Sequence, residues 1–85
     1  MSTLTVFLPE ISDVSDFVNI MGHFPFEAQL TVGSYAVDAK SIMGIFTLDR
    51  EHPISLVADT ADENMLAQLS RAIDRFLYKP VSYSA

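Results

Sequence analysis

Ser41 is the residue of this chain whose type and setting best suit chemistry. It stands directly before an apolar run, Ile42, Met43, Gly44, Ile45 and Phe46, with Leu48 just beyond. Serine at this place is a good helix N-cap, worth about 1 kcal/mol through the hydrogen bond its oxygen accepts. The same hydroxyl is modifiable, and a phosphate on it would meet the amides of a helix start. A phosphoserine carries about −1.5 to −2 charges at pH 7. Its main effect would fall on partners, repelling acidic surfaces and recruiting arginine-rich ones. From the residues alone, plain capping and a modification switch both stand.

The other candidates carry weaker signals. His23 follows Gly22, and His52 lies in the acidic stretch Asp49-Arg50-Glu51. Neither has a second His or a Cys at metal-ligand spacing, and there is no cysteine in the chain, so both read as surface or capping histidines. Glu10 and Asp13 read as solvated acids near the positive end of a helix. Arg71 and Arg75 are one helical turn apart with Asp74 between them, which reads as a solvated face rather than a phosphate clamp. No metal and no cofactor is expected.

Charge narrows the function classes. The 85 residues carry a formal net charge of −6, and Lys40 is the first basic residue. Backbone binding to nucleic acid needs clustered Lys and Arg, so a nucleic-acid partner is not expected. Residues 1–39 hold the acids Glu10, Asp13, Asp16, Glu27 and Asp38 and no cation that could stabilise a phosphoryl group. No apolar run reaches membrane-spanning length, and the start Met-Ser-Thr-Leu-Thr-Val-Phe lacks a basic n-region. The expectation is one cytoplasmic domain over residues 1–85, with no membrane partner.

The elements that must position Ser41 can be read from periodicity. Residues 3–8 alternate, with Leu4, Val6 and Leu8 on one face, and Pro9 closes this strand. Ser12 and Asp13 offer caps for a helix whose stripe is Val14, Phe17, Val18 and Met21, with Gly22 as its stop. Residues 26–32 alternate again, Gly33-Ser34 makes a tight hairpin turn, and residues 35–38 return as a short strand. The Ser41 helix follows. Residues 49–53 form a polar loop, and residues 54–59 alternate as a fourth strand. Thr60-Ala61-Asp62-Glu63 has capping-box spacing, and Leu66, Leu69, Ile73, Phe76 and Leu77 continue a helical stripe that Pro80 ends. Residues 79–85 read as a loose tail. The order β-α-β-β-α-β-α in so short a chain predicts an α+β two-layer sandwich. Because the Ser41 helix has no polar face and the core is small, part of that helix should face a partner.

Two segments carry a family resemblance. Val37-Asp-Ala-Lys-Ser-Ile-Met-Gly44 closely resembles the regulatory-serine segment of HPr, the small phosphocarrier of the phosphoenolpyruvate-dependent sugar phosphotransferase system. Asp59-Thr-Ala-Asp-Glu-Asn64 resembles the start of that family's last helix. The resemblance spans residues 3–78. It implies the HPr-like open-faced sandwich: a four-stranded antiparallel sheet covered on one face by three helices.

The resemblance also assigns roles. The family's carrier histidine stands at the start of the first helix, in a setting close to Gly-(Ile/Leu)-His-Ala-Arg-Pro-Ala. Here the family spacing falls on Glu10, within Pro9-Glu10-Ile11-Ser12-Asp13, with neither His nor Arg. No residue takes the carrier role, and a phosphohistidine dianion would meet carboxylates there. Ser41 is implied as a regulatory phosphosite, with Lys40, Ile42, Met43 and Phe46 as partner-docking residues and Lys40 steadying the phosphate. Ile45 and Leu48 are expected to turn inward. The implied partners are HPr kinase/phosphorylase, a catabolite-control repressor or other phosphotransferase-system proteins. The protein itself would be a monomer or weak homodimer and not an enzyme. An atypical phosphocarrier, or an interaction module without phosphorylation, are the alternatives.

Overall fold

Alternating side chains make the strands, and one unbroken apolar row makes the sheet one-sided. The computed structural model describes residues 2–78, so the expected tail at 79–85 and the stop at Pro80 lie outside the described residues. Four strands, β1 (Ser2–Val6), β2 (Ala28–Val32), β3 (Tyr35–Asp38) and β4 (Ile54–Ala58), form an antiparallel sheet in the order β1-β4-β2-β3. The last of the described strands, β4, is thus inserted between β1 and β2. Its register aligns Leu4, Leu56, Leu30 and Val37 across the sheet. This row faces the helices. The neighbouring row, Thr5, Ser55, Thr31 and Ala36, faces water. A sheet with one polar face and one apolar face is the fold class expected from the periodicity.

The helices α1 (Ile11–Met21), α2 (Ile42–Ile45) and α3 (Glu63–Ala72) cover the apolar face. Val14, Phe17 and Met21 of α1, Ile45 of α2 and Leu69 of α3 are buried in a single core with Leu30 and Leu56. Burying a side chain of this size contributes about 1.5–3 kcal/mol. The β2–β3 hairpin closes through Gly33-Ser34, with Val32 opposite Tyr35. Among the described residues Gly33 alone takes a positive φ, 59°, which is the type II′ pattern that fits the right-handed twist of the strands.

Several element boundaries differ from the sequence reading. Helix α1 starts earlier: Glu10, not Ser12 or Asp13, is its N-cap, and the Asp13 carboxylate accepts the Glu10 amide at 3.1 Å. Helix α3 is capped by Asp62 rather than Thr60. The Asp62 carboxylate accepts the amides of Asn64 at 2.9 Å and Met65 at 3.2 Å, while Thr60 supports the Asp62 amide at 3.1 Å. A carboxylate already satisfying two orphan amides leaves no cap for Thr60 to supply.

The third difference lies at the end of the apolar stripe. Helix α3 stops at Ala72, and Asp74–Phe76 form a separate 3-10 turn. Leu77 then bridges Val6, and the Tyr78 amide donates to Thr5 at 2.8 Å. Helical spacing persists in the sequence there because both the turn and the helix bury one residue in three or four. The edge of β1, with unpaired amides and carbonyls, draws the chain out of the helix. The Phe76 ring meets Phe17 edge-on, at 6.0 Å and 83°, and fixes the turn against α1. Strand β1 itself ends at Val6 rather than residue 8, although Leu8 stays fully buried.

Candidate functional site

Ser41 is reached through a turn built by the end of β3. Asp38 accepts the Lys40 amide on its side chain at 2.8 Å and the Ser41 amide on its carbonyl at 3.0 Å. Ala39, between them, is fully buried and donates to the Ala28 carbonyl at 3.0 Å. Ser41 therefore starts α2 from a fixed point. Its hydroxyl oxygen accepts the Gly44 amide at 3.1 Å, so the capping role read from the sequence is present. The helix is a single turn, continued by tighter bonds from Thr47 to Gly44 and Leu48 to Ile45. One turn offers a phosphate far less dipole than a long helix, so the Ser41 environment rests on local amides.

The apolar run of α2 divides as a short helix on a small core must divide. Ile45 is fully buried and Leu48 nearly so, as expected, and Ile42 is partly buried against the core. Met43 is 74% exposed and Phe46 37% exposed. The surface beside Ser41 is thus an exposed thioether and an aromatic ring. Gly44 lets this turn lie close to β3: a Cβ there would come within 3.3 Å of the Val37 Cβ and 3.2 Å of the Ser41 oxygen.

Lys40 and Arg50 are both engaged by backbone. The Lys40 ammonium donates to the Phe24 carbonyl at 2.7 Å, tying the Ser41 turn to the loop after α1. One guanidinium nitrogen of Arg50 donates to the carbonyls of Leu8 and Pro9 at 3.1 Å each. The guanidinium also lies over Phe46, 5.3 Å from the ring centroid. Sequence spacing places Arg50 only in the polar loop 49–53. Its partners lie about forty residues earlier in the chain, a separation that no local spacing signals.

The remaining candidates do not assemble into a site. Glu10 caps α1 and, with Asp13, presents carboxylates at the place where the family spacing expects a nucleophile. His23 is exposed beyond the end of α1, and exposed His52 lies 4.0 Å from Asp49. Arg75 pairs with Asp16 at 2.5 Å and lies over Phe76, so it belongs to the packing of α1 on the 3-10 turn. Among the described residues no group of three His, Cys, Asp or Glu gathers as metal ligands, and no helix is long and apolar enough to cross a membrane.

No known family's sequence model matches the chain, and no curated protein matches it in sequence. Solved structures do match its shape. HPr-C-His from Thermoanaerobacter tengcongensis superposes with a TM-score of 0.67 at 22% identity, over 87% of this chain and 92% of that one. Crh, the catabolite repression protein of Bacillus subtilis, superposes with a TM-score of 0.61 at 24% identity, over 89% and 88% of the two chains. The Crh structure is a domain-swapped, intertwined dimer. The likeness covers nearly the whole described chain, and the fold is HPr-like.

Proposed function

We propose that the protein is a non-catalytic regulatory and docking protein of the phosphotransferase system or of catabolite control, switched by phosphorylation at Ser41. The observation that carries this reading is the division of the α2 turn. Ile45 and Leu48 hold it to the core, while Met43 and Phe46 stand exposed beside a serine whose hydroxyl proton is not used in its cap. In the switch, the Ser41 oxygen attacks the terminal phosphoryl group of ATP, an O–P bond forms, ADP leaves, and the hydroxyl proton passes to the kinase. The partners in this reading are HPr kinase/phosphorylase and a catabolite-control repressor, met through Lys40, Ile42, Met43 and Phe46. The protein works in the cytoplasm as a monomer or weak homodimer.

Glu10 and Asp13 support regulation over sugar transport. A carrier needs an imidazole nucleophile and donors around its phosphate, and this helix start offers carboxylates. The deciding experiment is incubation with an HPr kinase/phosphorylase and ATP, followed by mass spectrometry. Phosphate at Ser41 is the expected result; an unmodified Ser41 beside an active kinase control overturns the switch. In parallel, enzyme I and phosphoenolpyruvate should leave no acid-labile label, and a label would restore the carrier reading.

A further inference from the structure

The chain has four methionines and no cysteine, so thioethers are its only sulfur. The fold sorts the three described methionines sharply. Met21, at the end of α1, is fully buried in the core; Met65 on α3 is half-buried; Met43 on α2 stands 74% exposed. Access decides which of them reacts, because a two-electron oxidant must reach the sulfur lone pair. The turn that carries Met43 is held by other groups. Ile45 and Leu48 fasten it to the core, the Ser41 oxygen accepts the Gly44 amide, and the Thr47 hydroxyl donates to the Gly44 carbonyl at 2.6 Å. An oxygen added to Met43 therefore finds room in solvent and displaces no core side chain. The same oxygen on Met21 would have to enter a packed interior.

We propose that Met43 is a reversible oxidation site, converted by hydrogen peroxide to the sulfoxide with the fold intact, and that this modification makes the α2 surface polar. In the step, the Met43 sulfur attacks one peroxide oxygen, an S–O bond forms and the O–O bond breaks. The leaving hydroxide takes the proton from the new S–OH group and departs as water. The sulfur is oxidised by two electrons and the peroxide is reduced by two. The product is a strong hydrogen-bond acceptor where the thioether was apolar. Covering that acceptor with an apolar partner surface strips its water and leaves it unsatisfied, so oxidation opposes docking beside Ser41. The effect on partners rests on the docking reading above; the site of oxidation stands on exposure and sulfur chemistry alone.

The test treats the full chain with hydrogen peroxide, locates the added oxygen by peptide mass spectrometry and follows the fold by NMR. Met43 should oxidise about tenfold or more faster than Met21 and ahead of Met65, with the amide signals of the core unchanged. The oxidised chain should elute earlier from a hydrophobic-interaction column. HPr kinase/phosphorylase with ATP should modify its Ser41 about five- to tenfold more slowly. The two epimer-specific methionine sulfoxide reductases should restore both readings, with dithiothreitol supplying the two electrons and the oxygen leaving as water. Met43→Leu keeps an apolar side chain without the sulfur, so peroxide should change neither its elution nor its phosphorylation rate. Oxidation of Met65 or Met21 ahead of Met43, loss of the fold on oxidation of Met43, or an elution shift that persists in Met43→Leu overturns the proposal. A Met43 sulfoxide that the kinase modifies at the native rate overturns the effect on partners. A native chain left unmodified beside an active kinase control overturns the Ser41 switch, and mass and elution still decide the oxidation site.

Discussion

The Ser41 hydroxyl oxygen accepts the Gly44 amide at 3.1 Å, and a Cβ placed on Gly44 would stand 3.2 Å from that same oxygen. The cap and the glycine are one device. The serine satisfies an orphan amide of the α2 turn, and the missing side chain leaves its oxygen uncrowded next to β3. Ser41→Ala should cost about 1 kcal/mol through loss of the cap, whereas Ser41→Asp should retain most of it. Urea unfolding of the three proteins measures this.

Gly44→Ala tests the close approach. Helix propensity alone favours Ala by about 0.5–1 kcal/mol. The new methyl, however, lies 3.3 Å from the Val37 Cβ, which strand pairing holds in place, and 3.2 Å from the capping oxygen. We expect net destabilisation of about 1 kcal/mol, since crowding a packed contact costs about 1–3 kcal/mol. A gain in urea midpoint would contradict the packing account.

The two sides of the α2 turn should separate cleanly. Met43→Ala should leave stability within about 0.5 kcal/mol, because the side chain is 74% exposed. Ile45→Ala, fully buried two residues on, should cost about 2–5 kcal/mol. Measured by thermal unfolding, the pair distinguishes a surface that serves partners from one that serves the core. Partner binding should follow the reverse order for Met43→Ala.

The α1 contact with the 3-10 turn makes a similar contrast. Arg75 and Asp16 pair at 2.5 Å, yet both side chains are more than half exposed, so Asp16→Asn should cost less than about 1 kcal/mol and less still in high salt. Phe76→Ala removes a ring that is 3% exposed and meets Phe17 edge-on. It should cost about 3–5 kcal/mol. Chemical denaturation at low and high salt resolves the two effects.

Much of the fold was legible because short-range periods encode it. The alternation read at 54–59 appears as β4, one residue shorter, and the Val14, Phe17, Val18 and Met21 stripe and the Gly33-Ser34 hairpin appear as read. Each depends on side chains within a few residues. Boundaries were less legible where a competing partner lay close. Asp62 displaced Thr60 as a cap because its carboxylate reaches two amides at once. Leu77 kept helical spacing but went to the β1 edge, a choice set by a strand seventy residues away.

The sequence by itself determined the element order, the apolar face of each element and the serine that opens an apolar turn. Local periodicity and capping chemistry require nothing beyond neighbouring residues. Only the tertiary structure decided that Ile42, expected beside Met43 and Phe46 on the docking side, packs partly against the core, because a single turn on a small core turns more than Ile45 and Leu48 inward. It also decided that Arg50 ties Phe46 to Leu8 and Pro9, because a guanidinium finds its carbonyls by folding and not by spacing.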